Sequence, residues 1–183
     1  MKHITSILLA AIAITALALQ PTMAQEHKEP PVTLVRTEGS GFTFEKIIDL
    51  PGVTKEQAYD RAKQWILNNF KTADNNTSFD DKGKDHINTS TAMMLDKRKW
   101  WTDPPYVSFK FSISFKDNKM KINAAQFLIS IDGLGYSNLN AAPFDDFKFA
   151  KKDKTFIYES FDQKFSATVA ALQEAASKDK NNW

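Results

Sequence analysis

Hydrophobic and polar residues alternate without a break over residues 107–116 of this chain. The apolar positions are Val107, Phe109, Phe111, Ile113 and Phe115, and serine or lysine occupies every position between them. Because successive side chains of an extended strand point to opposite faces, a period of two predicts a β-strand that is buried on one face. The serine and lysine side chains can stay in water. The pattern therefore predicts a one-sided sheet whose apolar face is covered by helices.

A second stretch with this period, residues 42–50, predicts a strand before the first helix, although Lys46 falls among its apolar positions. The residues before it, 25–41, are polar and contain proline and glycine pairs, which is typical of a linker. Within that linker, residues 32–35 are interpreted as a short edge strand.

Two hairpins are predicted between the helices. Residues 77–80 and 87–95 would pair around a turn in which Gly83 supplies a positive φ. Residues 117–118 would turn the central strand into the next one, whose apolar residues switch from even to odd numbers near residues 124–126. Because one inserted residue shifts the phase by one, this switch predicts a β-bulge that also bends the sheet.

Two stretches have the spacing of amphipathic helices. Thr54 and Gln57 have the spacing of a capping box, so the first helix is expected to begin there. The start of the second helix stays open, because residues 160–163 have the same capping pattern. Residues 132–154 before it predict a long loop, a candidate lid or binding loop. The apolar stripes are Ala58, Ala62, Trp65, Ile66 and Phe70 in the first helix, and Ile157, Phe161, Phe165, Thr168, Leu172 and Ala176 in the second.

Together these elements predict one α+β domain over residues 42–178, followed by a tail, 179–183. Its sheet would be antiparallel and one-sided, with about five strands and with two helices on one face. A chain of this length can bury enough apolar surface to be stable without cross-links. Cysteine is absent, so the fold can contain no disulfide bond.

The N-terminal residues predict export. Lys2 and His3 precede an apolar run over residues 7–19, which is too short to span a membrane as a helix. Small residues then lead up to Ala24, as in a signal-peptide cleavage site. We expect a secretory signal peptide, 1–24, and a periplasmic or extracellular protein. No lipid anchor on a cysteine is expected, and no later segment has the length and apolarity of a membrane span.

Three segments and two aromatic residues carry a resemblance to a known family: residues 42–59 (FTFEKIIDLPGVTKEQAY), 81–84 and 116–121, with Trp65 and Phe70. They resemble the domain of unknown function 4468, an exported family of Bacteroidota. The resemblance covers roughly residues 41–177 and implies a TBP-like β-α-β4-α fold. Because its motifs are structural, it implies no catalytic residue. The chain departs from the family pattern at Asn118, where a turn glycine is common.

The chemistry of the sequence predicts a protein that is not an enzyme. Of its three histidines, only His86 lies in the predicted domain, where it is expected to be a partly exposed strand residue. The residues needed for a catalytic triad or a metal site are therefore not expected to come together. Asp80, Asp81 and Asp85 lack the spacing of a calcium loop and are interpreted as a solvated turn. The net charge of +2 gives no general attraction to nucleic acid. We therefore expect no catalytic residue, no metal, no cofactor and no nucleic-acid partner.

One segment is a candidate ligand site. Its residues are Lys97, Arg98, Lys99, Trp100 and Trp101, together with Tyr106. Tryptophan side chains beside cations could stack on sugar rings or hold an anionic polymer. Alternatively, one tryptophan covers the end of the sheet and the charges are solvated.

Two functions stay open from the sequence. The first is a binding module of the cell envelope for an apolar small molecule or a glycan. The second is a structural protein of the envelope that binds another protein. An apolar ligand would need a pocket between the sheet and the second helix, and four phenylalanines would either line that pocket or fill it: Phe109, Phe111, Phe161 and Phe165.

Overall fold

The structure, a computed structural model, describes residues 34–39, 41–70, 77–131 and 141–178. The expected signal peptide, most of the expected linker and the expected tail lie outside these ranges. In chain order the elements are β1 Val35–Thr37, β2 Gly41–Asp49, α1 Lys55–Asn69, β3 Thr77–Phe79, β4 His86–Met94, β5 Tyr106–Lys116, β6 Lys119–Ser130, β7 Ala142–Pro143 and α2 Lys151–Ser177.

The strands of the described ranges form one antiparallel sheet in the order β1-β2-β6-β5-β4-β3. The short strand β7 pairs with the C-terminal end of β6. From β2 to α2 the elements follow the predicted order of strand, helix, four strands and helix, with the two-residue β7 added before α2, so the α+β class is confirmed. The expected count of about five strands is too low, since the sheet has seven. β1 and β7 contain three and two residues, which is too short for a period to show in the sequence.

β1 lies inside the stretch that was interpreted as a linker. It pairs with the start of β2, and Leu34 just before it is buried in the core. The edge strand predicted at 32–35 overlaps the observed strand Val35–Thr37 only at Val35, while residues 32 and 33 lie outside the described ranges. The folded part of the chain therefore begins before residue 42.

The central strand β5 confirms the predicted alternation, because its five apolar side chains are all buried. Beside it, β6 has the predicted bulge. Lys110 pairs with Ala125, whereas Ser108 pairs with Leu128, so β6 carries one extra residue. Gln126 at this point has φ +57°. The inserted residue keeps apolar side chains on the covered face of the sheet on both sides of the bulge.

The predicted capping box begins α1. The Thr54 hydroxyl accepts the N–H of Gln57 at 3.3 Å, and the Gln57 side chain accepts the N–H of Thr54 at 3.1 Å. The second helix begins at Lys151, earlier than its stripe or the capping pattern at 160–163 suggests. Ala150 caps it without a side-chain hydrogen bond, so no capping residue marks this start.

The two helices cover the apolar face of the sheet, and aromatic rings fill the space between. Phe165 lies 5.5 Å from Phe109 and 5.2 Å from Phe161, measured between ring centroids. Phe111 is also fully buried. The four phenylalanine rings therefore fill the space between the sheet and the second helix and do not line a pocket.

Part of the expected loop 132–154 also belongs to the core. Phe144 and Phe147 are fully buried, with stacked rings 5.8 Å apart. These two rings anchor residues 141–150 to the core, so this part of the expected loop is not a lid, while 132–140 lie outside the described ranges.

The turn between β3 and β4 differs from its prediction. The positive φ falls on Lys84, at +52°, and not on Gly83. At Gly83 a Cβ would lie 2.5 Å from a carboxylate oxygen of Asp80 and 2.8 Å from one of Asp85, so a larger residue there would displace these two side chains.

Candidate functional site

The connection between β4 and β5, residues 95–105, holds most of the predicted site residues and is called the aromatic loop below. Its base is closed by a hydrogen bond from the N–H of Leu95 to the carbonyl of Pro105, at 2.8 Å. Both residues are buried. The loop therefore starts and ends at fixed points on the sheet.

Asp96 ties the aromatic loop to α2. Its N–H donates to the Ser160 hydroxyl at 2.9 Å, and that hydroxyl donates to the Asp96 carboxylate at 2.9 Å. Lys164 lies 3.0 Å from the same carboxylate. The hydrogen bonds from Lys164 and then Ser160 hold the pKa of Asp96 below its usual value.

Arg98 forms a second tie. Its Nε lies 2.9 Å from Oδ1 of the buried Asp153, as an ion pair whose geometry is not that of a hydrogen bond. Its guanidinium donates to the Lys152 carbonyl at 2.6 Å and lies over the Phe156 ring. Arg98 was predicted as a ligand-binding cation, but the structure uses it to anchor the loop. Asp153 is also well placed in the first turn of α2, where the helix dipole favours an acid.

The two adjacent tryptophans have different environments. Trp101 is 4% exposed and packs against Phe156 and Phe149, with ring centroids 5.8 Å and 6.5 Å away. Trp100 is 62% exposed and meets the Trp101 ring edge to face at 5.6 Å. Trp101 therefore extends the core, and only Trp100 is available to a ligand.

The remaining predicted site residues stay at the surface. Lys97 donates to the carbonyl of Thr102 within the loop, and Lys99 is exposed. Tyr106 begins β5 and is 37% exposed, on the sheet face that the helices do not cover. The structure thus leaves Lys97, Lys99 and Trp100 as the exposed part of the loop.

The second candidate surface is the uncovered side of β4, β5 and β6, which is called the open face below. The sequence shows it as the polar half of the alternation but gives it no role. Its side chains are polar near the β5–β6 turn, where lysines lie among serines and asparagines, and more apolar at the opposite end. The cross-strand rows are His86–Ser114–Lys121, Asn88–Ser112–Asn123, Ser90–Lys110–Ala125, Ala92–Ser108–Leu128 and Met94–Tyr106.

The acidic turn predicted as solvated is held against α1 by a network of polar contacts. Asp81 accepts hydrogen bonds from Tyr59 at 2.8 Å and from Lys63 at 2.6 Å. Asp85 accepts one from Lys55 at 2.8 Å. These lysines, helped at Asp81 by the Tyr59 hydroxyl, hold the pKa of each carboxyl below its usual value. Within the described ranges, no three carboxylate or histidine side chains are placed to hold a metal ion.

This network predicts a loss of stability in acid. A carboxyl whose pKa is lowered by folding stabilises the protein above its unfolded pKa of about 3.9, and that contribution is lost as pH falls through the folded value. Urea unfolding midpoints should therefore drop below about pH 4. The double variant D81N/D85N should be less stable at neutral pH and less sensitive to acid than the wild type. An equally steep acid profile in D81N/D85N and in the exposed control D146N would contradict this.

The antiparallel sheet with two helices on one side defines a TBP-like α+β domain. Residues 44–130 match the family model described as a domain of unknown function (DUF4468) with TBP-like fold. This match confirms the resemblance inferred from the sequence.

Two crystal structures are similar to this chain. A TBP-like protein from Parabacteroides distasonis has a TM-score of 0.64 and 15% identity, over 79% of this chain and 97% of that one. A DUF4468 family protein from Bacteroides ovatus has a TM-score of 0.57 and 11% identity, over 84% and 96%. At these identities the likeness shows the fold alone. No curated protein matches the chain. Neither helix in the described ranges combines the length and apolarity needed to cross a bilayer.

Proposed function

We propose that this protein is an exported, non-catalytic binding module of the cell envelope that holds a glycan at the aromatic loop. The observation that carries the proposal is Trp100, which is 62% exposed. A large apolar ring in water is unfavourable, and sugar rings commonly stack on such a surface. Lys97 and Lys99 on the same loop would suit the acidic groups that many glycans carry. Export rests on the signal-peptide pattern that ends at Ala24.

The rigidity of the loop supports this proposal. Trp100 packs on the buried ring of Trp101, and the loop is tied to α2 through Asp96 and Arg98. A binding surface that is ordered before the ligand arrives loses less entropy on binding. Binding residues are also frequently found on loops that a rigid scaffold positions.

The packing of the domain interior favours a glycan over an apolar small molecule as the ligand. An apolar ligand would need space between the sheet and α2, where Phe109 and Phe161 pack against Phe165. The exposed aromatic surface lies outside that interface. A ligand that stacks on one side of an indole ring therefore fits the molecule better than one enclosed by it.

The proposal is tested by glycan binding of the variant W100A. Glycan-array or affinity-gel binding should fall about 5- to 150-fold, if a sugar ring stacked on tryptophan contributes about the 1–3 kcal/mol of a base stacked on an aromatic ring. The free energy of unfolding should stay within about 0.5 kcal/mol, as for other surface positions. The matched control is I47A, which removes an apolar side chain of similar exposure, 61%, from β2. It should bind like the wild type.

Glycan binding that survives W100A would refute the role of the loop. If the wild type binds no glycan but retains an envelope protein in native mass spectrometry, and W100A releases that protein, the alternative of a protein-binding module is correct.

A further inference from the structure

The three central strands contain four lysines and no acidic residue. Lys110 and Lys116 belong to β5, and Lys119 and Lys121 belong to β6. β4 contributes neither aspartate nor glutamate. The whole chain is nearly neutral, at +2, so this absence of acids makes the open face more basic than the rest of the molecule.

Several polar groups on the open face have no partner in the described part of the chain. Lys121 and Lys119 are paired with acids of β2, Glu45 at 2.9 Å and Asp49 at 4.0 Å. Lys110 and Lys116 form no ion pair with any described residue. Four short side chains between and beside these two lysines form no hydrogen bond with any described residue: Asn88, Ser112, Ser114 and Asn123.

The register arranges these free groups as a grid. Ser112 lies between Asn88 and Asn123, on neighbouring strands about 4.8 Å apart. Lys110 and Lys116 are six positions apart on β5, which corresponds to about 20 Å. A shallow recess of about 830 Å³ lies at the Lys116 end and is lined partly by Ser112 and Ser114.

Three acids also line this recess, and two of them are occupied by other contacts. Asp85 lies 2.8 Å from the Lys55 ammonium, and Asp117 accepts the N–H of Lys55 at 2.9 Å. Glu56 is exposed in the first turn of α1, at the edge of the recess. Among the described residues, Lys110 and Lys116 therefore remain without an ion pair on the open face, while Glu56 and Asp117 add negative charge at the Lys116 end.

The chemistry of the open face distinguishes between classes of polyanion. Single-stranded nucleic acids are usually held by aromatic rings that stack on the bases, yet the outward positions between Lys110 and Lys116 are serines. A protein partner would need an apolar centre, and the centre of this face is polar. Hydroxyl and amide groups between two cations suit a chain that carries both hydroxyls and carboxylates. We propose that the open face binds an acidic polysaccharide along β5.

This second surface is independent of the aromatic loop. The loop is tied to α2, which packs on the covered side of the sheet, while Lys110 and Lys116 lie on the uncovered side. Loss of binding in W100A would therefore leave this inference unaffected. Loss of binding through the open face would likewise leave the proposed role of the aromatic loop unaffected.

The test uses the chain from Gln25 onward, with polygalacturonate as the acidic polysaccharide and dextran as its neutral counterpart. In about 50 mM NaCl the wild type should bind polygalacturonate and not dextran, with an affinity that falls as salt is added. The variant K110Q/K116Q should bind about tenfold more weakly, because two charge-assisted contacts are lost. K82Q/K151Q removes two exposed lysines elsewhere and should bind like the wild type.

A second variant, S112D, places a negative charge in the middle of the grid and should abolish binding, whereas S112A should reduce it only slightly. Circular dichroism would show that each variant is folded. Equal losses in the two lysine pairs would overturn the inference. Single-stranded DNA or polyglutamate binding as tightly as polygalacturonate, and equally sensitive to K110Q/K116Q, would also overturn it, because the surface would then recognise charge alone.

Discussion

Replacing Phe165 by alanine is expected to destabilise the protein more than any surface change, by about 3–5 kcal/mol. Its ring is fully buried on α2 and contacts other aromatic rings from both the sheet and its own helix. These rings are Phe44, Phe109, Phe111, Phe127 and Phe161. Truncation leaves a cavity, because the surrounding structure relaxes only partially around it. The loss is a large part of a typical total stability of about 5–15 kcal/mol.

Urea unfolding followed by circular dichroism measures this effect directly. The matched control is S166A, at the next position of α2, which is exposed and should change the free energy of unfolding by no more than about 0.5 kcal/mol. F165L should lie between the two, since it keeps most of the apolar volume. A typical single substitution costs about 1 kcal/mol. A smaller loss in F165A would mean that the space between the sheet and α2 is loosely packed. The hypothesis of a pocket for an apolar ligand would then be supported.

The second large effect is expected at Trp101. W101A should cost about 3–5 kcal/mol, because the side chain is 4% exposed and packs on Phe149 and Phe156. Its indole N–H has no hydrogen-bond partner among the described residues. W101F should therefore cost clearly less than W101A, since it retains a packed ring and gives up no hydrogen bond.

The comparison with W100A makes this prediction specific. The two tryptophans are neighbours in sequence, yet W100A should stay within about 0.5 kcal/mol of the wild type. Thermal or urea unfolding of the two single variants, monitored in the far ultraviolet, separates them. Equal losses in W100A and W101A would show that both rings belong to the core, and the exposed stacking surface in the proposed function would not exist.

Local patterns in the sequence determined much of this fold, since their physical causes are local. The alternation along β5 shows which side chains are buried, because a strand turns each successive residue to the opposite face. The phase switch in β6 placed the bulge near residues 124–126 for the same reason, and the register of β5 and β6 confirms it. Thr54 and Gln57 fixed the start of α1 because a capping box needs only four neighbouring residues.

Only the tertiary structure decided the features that depend on distant partners. β1 and β7 exist because β2 and β6 offer them free edges, and the start of α2 has no capping signal of its own. Arg98 became an anchor because Asp153, far along the chain, lies beside it. Trp100 and Trp101 follow no period within their loop, so which of them is buried depends on where Phe149 and Phe156 come to lie.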